Sequence, residues 1–220
     1  MVLSQSVEDY LKAIYKLETD EKGASTTRIA EALDVSSASA TNMVKRLSKM
    51  GLVNYQSYKG ASLTASGRKI ALEIIRHHRL LELYLLEVMG YSWDEVHDEA
   101  EKLEHHISEQ FEDKIAELLD NPTHDPHGDP IPTKEGIMPE METESLINAE
   151  EGHHYLVSRV KNQDPELLRY LEKIGLLPGA KLMIKDKGPF RGPITLKVED
   201  SEQVLGHEVA EHIYIAELPE

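Results

Sequence analysis

Residues 97–106 read HDEAEKLEHH, three histidines and four acids in ten positions. The chain has no cysteine, so any metal ligands must be imidazole nitrogens, carboxylates, carbonyls or water. At about 100° per residue, His97, Glu101, Glu104 and His105 fall within about 100° of helical arc. Val96, Ala100, Leu103, Ile107 and Phe111 cluster on the adjoining arc, with Asp98, Glu99, Lys102, His106 and Glu109 opposite. A merely solvated helix has no reason to set two His and two Glu beside its buried seam. A second pair, His78 and Glu82, stands at i and i+4 in IALEIIRHHRLLELYLLEVMG, where leucines leave almost no polar face. A buried polar group has to be paired. The two either satisfy each other or share an ion with the next helix, which follows after a connection short enough for antiparallel packing.

The elements around these groups sort by charge. The 220 residues carry a net charge of −16, with 40% apolar and 29% charged residues, enough for two or three small soluble domains. Residues 1–72 hold ten Lys+Arg against seven Asp+Glu, whereas the remainder holds 14 against 33. An acidic total argues against nucleic acid, but a net-positive first third does not. No apolar run approaches the length of a membrane span, and the N-terminus reads as no signal peptide. With no disulfide available, a cytoplasmic location is expected.

Within that first third, SVEDYLKAIYKLE reads as a helix. STTRIAEALDVSSASATNMVKRLSKMGLV then reads as helix, tight turn, helix and stop, with Ser25 or Thr26 as one cap and DVSS supplying the next. Ala40, Met43, Val44 and Leu47 form the inner face of the second helix. The segment offers Arg28, Ser36, Ser37, Ser39, Thr41, Asn42, Lys45, Arg46 and Lys49: short hydrogen-bonding groups toward the N-terminus and cations further along. Base edges and phosphates in a major groove need that order. LVNYQSYKGASLTASGR alternates and turns like a two-stranded wing with Lys59 near its tip. These features predict winged helix-turn-helix binding of double-stranded DNA.

Residues 121–150, rich in Pro, Gly and acids, read as a linker. Beyond them HYLVSRV, KLMIKDKG, ITLKVED and HIYIAEL read as strands around one helix, PELLRYLEKIG, which predicts a small, partly open barrel. The expected fold class is mainly α with a β-rich C-terminal domain. The expected bounds are 1–72 for the winged helix, 73–140 for a helical dimerisation and metal-binding domain, 141–152 for a linker and 153–220 for an SH3-like domain.

Through EDYLKAIYKLE, HHRLLELYL, VHDEAEKLEHHIS and NPTHDPHGDPIP the chain resembles the diphtheria-toxin-repressor family of metal-dependent transcriptional regulators, its manganese-responsive branch most. LLRYLEKIGLLPGAKLMI and LGHEVAEHIYI resemble the SH3-like domain that ends members of the family. The resemblance implies one metal site at His78, Glu82 and His97, and another at Asp9, Glu101, Glu104 and His105. It also implies that Asp125 and His127, and Asp164 from the last domain, can add ligands at the first site, the alternative for the loop pair being a solvent-facing Pro/Gly loop. Iron-responsive members carry Met and Cys where Asp9 and Glu101 stand here, and hard oxygen ligands suit Mn²⁺ better. Lys12 replaces a Glu of two-domain manganese regulators, so two separate sites are expected rather than a coupled binuclear centre. His77, His106 and His124 are expected at the surface.

The resulting expectation is a homodimeric repressor of metal-uptake genes with no enzymatic activity and no membrane partner. Mn²⁺ is the expected co-repressor, with Fe²⁺ or other divalent transition metals able to substitute. Mn²⁺ would order the dimer for a palindromic operator. The competing readings are an iron-responsive regulator of the same family, a metal-dependent hydrolase, and a winged-helix regulator sensing an organic ligand.

Overall fold

The computed structural model describes residues 3–18, 23–57 and 59–218. The chain divides into two compact units: residues 1–78, 103–108 and 132–138 form one, and 79–102, 109–131 and 139–220 the other.

The first unit holds α1 (Gln5–Glu18), α2 (Thr26–Ala32), α3 (Ser37–Lys49), β1 (Val53–Gln56), β2 (Gly60–Leu63) and the first part of α4 (Ala65–Glu87). Ser25 caps α2 by accepting from the Arg28 amide at 3.2 Å, and Ser36 caps α3 by accepting from the Ser39 amide at 3.2 Å. Each such cap stabilises its helix by about 1 kcal/mol. Between them Asp34 takes a left-handed φ of 49°, which makes the turn tight. β1 and β2 pair antiparallel from Val53↔Leu63 to Gln56↔Gly60, forming the expected wing. Gly60 has a φ of 92°, and a Cβ there would lie 2.7 Å from the Ala24 carbonyl oxygen. Only glycine lets that backbone approach, and beside it the Ala61 amide donates to Ala24 O at 2.9 Å. Leu11, Ile14, Ile29, Val44 and Leu47 are fully buried in the core beneath. At the other end of α1, Glu18 accepts from the Leu63 amide at 2.5 Å and pairs with Arg68 at 2.6 Å, so the first helix is fastened to the wing.

The second unit contains the rest of α4, most of α5 (Val96–Leu103), α6 (Glu109–Leu118) and a six-stranded antiparallel sheet. The strands are β3 (Glu144–Ser145), β4 (His154–Val160), β5 (Lys181–Lys187), β6 (Ile194–Val198), β7 (Ser201–Leu205) and β8 (Ile213–Glu217), ordered β3-β8-β4-β5-β6-β7. α7 (Pro165–Lys173) and the short α8 (His207–Ala210) lie between strands in sequence. Val157, Leu168, Leu171, Ile184, Leu196 and Ile215 fill the core, which also takes Trp93.

Three elements differ from expectation. The helix expected to run through residues 97–111 ends at Leu103, and α6 begins afresh at Glu109. His106 N donates to Leu103 O at 2.9 Å, a tightened final turn. Glu109 and Glu112 then place acids in the first turn of α6, where the helix dipole favours them. The expected linker 141–152 carries β3, which pairs with β8, and buries Leu146 and Ala149 in the core. Its acids hid two apolar anchors. The strand β7, SEQVL, was not foreseen because it is a polar edge strand with only one buried residue, Leu205.

Candidate metal centres and DNA-reading face

α1 presents Glu8, Asp9 and Lys12 within one turn, next to the buried Val7 and Leu11. α4 presents His77 and His78, and the turn after α5 presents Glu104 and His105. All of these lie in the first unit. Glu104 is completely buried, a position costing several kcal/mol for a carboxylate unless it is paired. Its Oε1 accepts from the Lys12 ammonium, and its Oε2 stands 2.5 Å from His78 Nδ1. His77 Nδ1 lies 3.1 Å from the Glu104 carbonyl oxygen. His77 is thus buried rather than at the surface, because residues 103–108 return over a helix whose apolar residues had left no obvious solvent face. His106 and His124 are exposed as expected.

The His105 side chain, 2% exposed, is bracketed by carboxylates. Its Nδ1 lies 2.7 Å from Glu8 Oε2, and its Nε2 lies 2.8 Å from Asp9 Oδ1 and 3.2 Å from Glu104 Oε1. Asp9, Glu104 and His105 each offer a ligand atom within 4.8 Å of the others. Three carboxylates, Glu8, Asp9 and Glu104, surround this point with one ammonium, Lys12. A donor set of imidazole nitrogen and carboxylate oxygen, without sulfur, fits Mn²⁺, Fe²⁺ or Zn²⁺.

In the second unit Glu82 is also completely buried, and its Oε1 lies 3.0 Å from His97 Nδ1. Glu101 follows His97 by one turn of α5, with ligand atoms within 4.8 Å. It therefore stands with His97, although it was expected with Asp9, Glu104 and His105. His78 precedes Glu82 by one turn of α4.

The loop 123–131 is ordered and pinned. Asp125 and His127 are buried, which overturns a solvent-facing loop. Asp125 Oδ1 accepts from the amides of His127 at 2.8 Å and Asp129 at 2.9 Å, a local turn that closes the loop on itself. Burial, then the negative charges of Glu82 and Asp129, push the Asp125 carboxyl well above the usual carboxylate range, against the pull of Arg79. Arg79 stands 3.5 Å from Asp125 and 3.4 Å from Asp129, and Arg159 of β4 is 2.6 Å from Asp129. Trp93 Nε1 donates to Pro126 O at 3.0 Å, and its ring lies 5.3 Å from that of His127. Gly128 meets the bulge in β4 between Val157 and Arg159, where a Cβ would lie 2.0 Å from Ser158 O. Val160 N donates to His127 O at 2.8 Å. Among the described residues Asp164 joins no cluster: it is exposed and caps α7 by accepting from Glu166 N at 2.9 Å and Leu167 N at 3.2 Å.

Most of the residues expected to meet DNA lie at the surface of α3, its cap and the wing. Ser36, Ser37, Ser39, Asn42, Lys45, Arg46 and Lys49 are exposed, as is Lys59 in the wing turn, while Thr41 is half-buried with its hydroxyl donating to Ser37 O at 2.8 Å. Arg28, half-buried, donates to Gly23 O at 2.6 Å. Sequence reasoning passed over Glu8, Arg79, Asp129 and Arg159 as members of these clusters. No motif marked them, since each acts by pairing with a residue distant in sequence.

The sequence matches the families described as "Iron dependent repressor, N-terminal DNA binding domain" over residues 2–61 and "Iron dependent repressor, metal binding and dimerisation domain" over 64–133. It matches the FeoA domain over 144–217. The chain is 33% identical to the iron-dependent repressor IdeR of Mycobacterium tuberculosis, over 97% of both chains. It is 40% identical to the HTH-type transcriptional regulator MntR of Oceanobacillus iheyensis over 52% of this chain and 77% of that one. Among solved structures, a manganese-dependent transcriptional repressor in complex with manganese matches with a TM-score of 0.87 and 36% identity, covering 96% of this chain and all of the other. ScaR with bound Cd²⁺ matches with a TM-score of 0.80 and 35% identity over 96% and 99%.

A winged helix-turn-helix, buried clusters of imidazole and carboxylate, and a β-rich terminal domain define a metal-dependent DNA-binding regulator. The chain belongs to the diphtheria-toxin-repressor family of metal-dependent transcriptional repressors.

Proposed function

We propose that this repressor responds to Mn²⁺, acts as a cytoplasmic homodimer on a palindromic operator, and controls metal-uptake genes. The observation that carries the reading is hard carboxylate oxygen at the two positions where iron-responsive members have Met and Cys, with Asp9 2.8 Å from His105 and Glu101 beside His97. One ion is held by Asp9, Glu104 and His105. Another is held in the second unit by Glu82, His97 and Glu101, and Asp125 supplies a nearby carboxylate. The ammonium of Lys12 on Glu104 favours separate ions over a coupled pair. The bound ion supplies a positive charge that gathers carboxylates which otherwise repel. The protein's part is to convert that gathering into a fixed placement of α3 for a major groove. Val88, Met89, Phe111 and Leu118 are large apolar side chains exposed on the second unit, and they suit the dimer surface. The proposed bounds are 1–72, 73–140 and 153–220 for the three domains.

Gel-shift titration on an inverted-repeat operator tests the reading. Retarded complexes are expected with Mn²⁺ and their loss with chelator, and equal affinity in both refutes it. The iron-responsive alternative rests on the similarity to IdeR. It is favoured if Fe²⁺, held anaerobically, activates at lower free concentration than Mn²⁺.

A further inference from the structure

His105 has a different partner on each ring nitrogen. Nε2 faces Asp9 at 2.8 Å and Glu104 at 3.2 Å, the two carboxylates with which it shares the candidate metal position. Nδ1 faces Glu8 at 2.7 Å instead. Glu8 and Asp9 are consecutive residues in the opening turns of α1, so the helix grips the ring from both edges. The His105 side chain is 2% exposed and that of Glu8 16%, which keeps water from competing freely for either contact.

We propose that Glu8 is the positioning residue of this metal centre, holding the Nδ1 proton of His105 so that Nε2 is the ligand atom. The inference rests on the metal reading above and adds a residue that no motif assigns. A neutral imidazole ligand keeps one proton, and the nitrogen that carries it is set by the hydrogen bond the other edge makes. With Nε2 turned toward Asp9 and Glu104, the proton belongs on Nδ1, where Glu8 accepts it. The contact fixes ring rotation, selects the tautomer and strengthens Nε2 as a donor. Such outer partners typically change metal affinity by about 10–100-fold. Glu8 is not itself a ligand in this arrangement, because its oxygen lies on the ring edge away from the shared position.

An acid in the first turn also stabilises a helix, so the test separates the two roles. Full-length protein with Glu8→Ala, Glu8→Gln, or Glu8→Ala combined with Gln5→Glu is titrated with Mn²⁺ under competition by a chelator. The third variant restores first-turn charge on an exposed residue one turn before Glu8 and Asp9. The expected result is an affinity loss of about 10–100-fold for Glu8→Ala, unrescued by Gln5→Glu, and a smaller loss for Glu8→Gln, which keeps an acceptor oxygen. Nitrogen NMR of the Cd²⁺-loaded wild type is expected to show the metal coupled to His105 Nε2 and a proton on Nδ1. Unchanged affinity in Glu8→Ala, rescue by Gln5→Glu, or coupling to Nδ1 overturns the role of Glu8 while leaving the metal site standing. Absence of coupling at either ring nitrogen in wild type overturns the metal reading of the cluster and this inference with it.

Discussion

Gly128→Ala tests how the loop 123–131 is held. Gly128 has a φ of 85°, and a Cβ there would lie 2.0 Å from Ser158 O and 2.8 Å from Arg159 Cα. Both obstacles are backbone, so neither moves cheaply. The left-handed conformation costs an L-residue about 1–2 kcal/mol. Forcing a methyl into occupied space costs about 1–3 kcal/mol more, which places the total at about 2–5 kcal/mol. Gly152, with a φ of 80° and nothing within 4 Å of its Cβ position, supplies the control, since Gly152→Ala meets only the first cost. The loop should peel from β4 before the core unfolds, because the Val160 amide bonded to His127 O reports its attachment directly. Native-state hydrogen exchange in chelator, read at Val160, should accelerate by at least about 30-fold in Gly128→Ala, the factor for about 2 kcal/mol. Metal affinity at Glu82 and His97 should fall with it, because Asp125 is carried away. Exchange at Val160 within two-fold of wild type, or equal to that in Gly152→Ala, would refute the reasoning.

Asp125 and the reader helix give two further tests. A raised carboxyl pKa means that the folded chain binds more protons than the unfolded one, so stability falls as pH rises from the unfolded value toward the elevated folded one. In chelator, Asp125→Asn should flatten that fall in denaturant midpoint above about pH 4 while Oδ1 keeps its two amide contacts, and an unaltered pH profile would contradict the assignment. On the DNA side, Lys45→Ala or Arg46→Ala should each lower the slope of log affinity against log salt by about 1 if the side chain meets a phosphate. A slope equal to that of wild type would remove that residue from the interface.

The winged helix was legible because its signals are local. Ser25 and Ser36 announce helix starts, Gly51 a stop, and the alternation of VNYQ a strand, all without reference to distant residues. The metal clusters were legible in composition but less so in grouping. A stripe drawn at helical spacing assumed that α5 continued, whereas Glu104 and His105 lie in the turn beyond its end. The stripe did not separate Glu101 from them, and the family resemblance put it in their group, although it stands on α5 one turn after His97. His77 and the pairing of Glu8 and Lys12 with residues 104 and 105 depend on chain separated by tens of residues, where periodicity carries no information. The Pro/Gly-rich loop left a solvated alternative open for a related reason: its burial is imposed by Trp93, Arg79 and the bulge in β4, none of them visible within NPTHDPHGDPIP.

The first helix is tied at both ends. Glu8 and Asp9 meet His105 near one end, and Glu18 meets Leu63 N and Arg68 at the other. Fourteen residues of α-helix form a rod about 21 Å long. Glu18 lies about 14 Å along it from Glu8 and Asp9, so a tilt of only about 4° about the His105 contact displaces the Glu18 end by about 1 Å. Coordination chemistry adjusts its bond geometry on that scale, and so does the fit of a wing to a phosphate backbone. α1 is in this sense a lever arm, and the stiffness of an ordinary helix is all the machinery it requires.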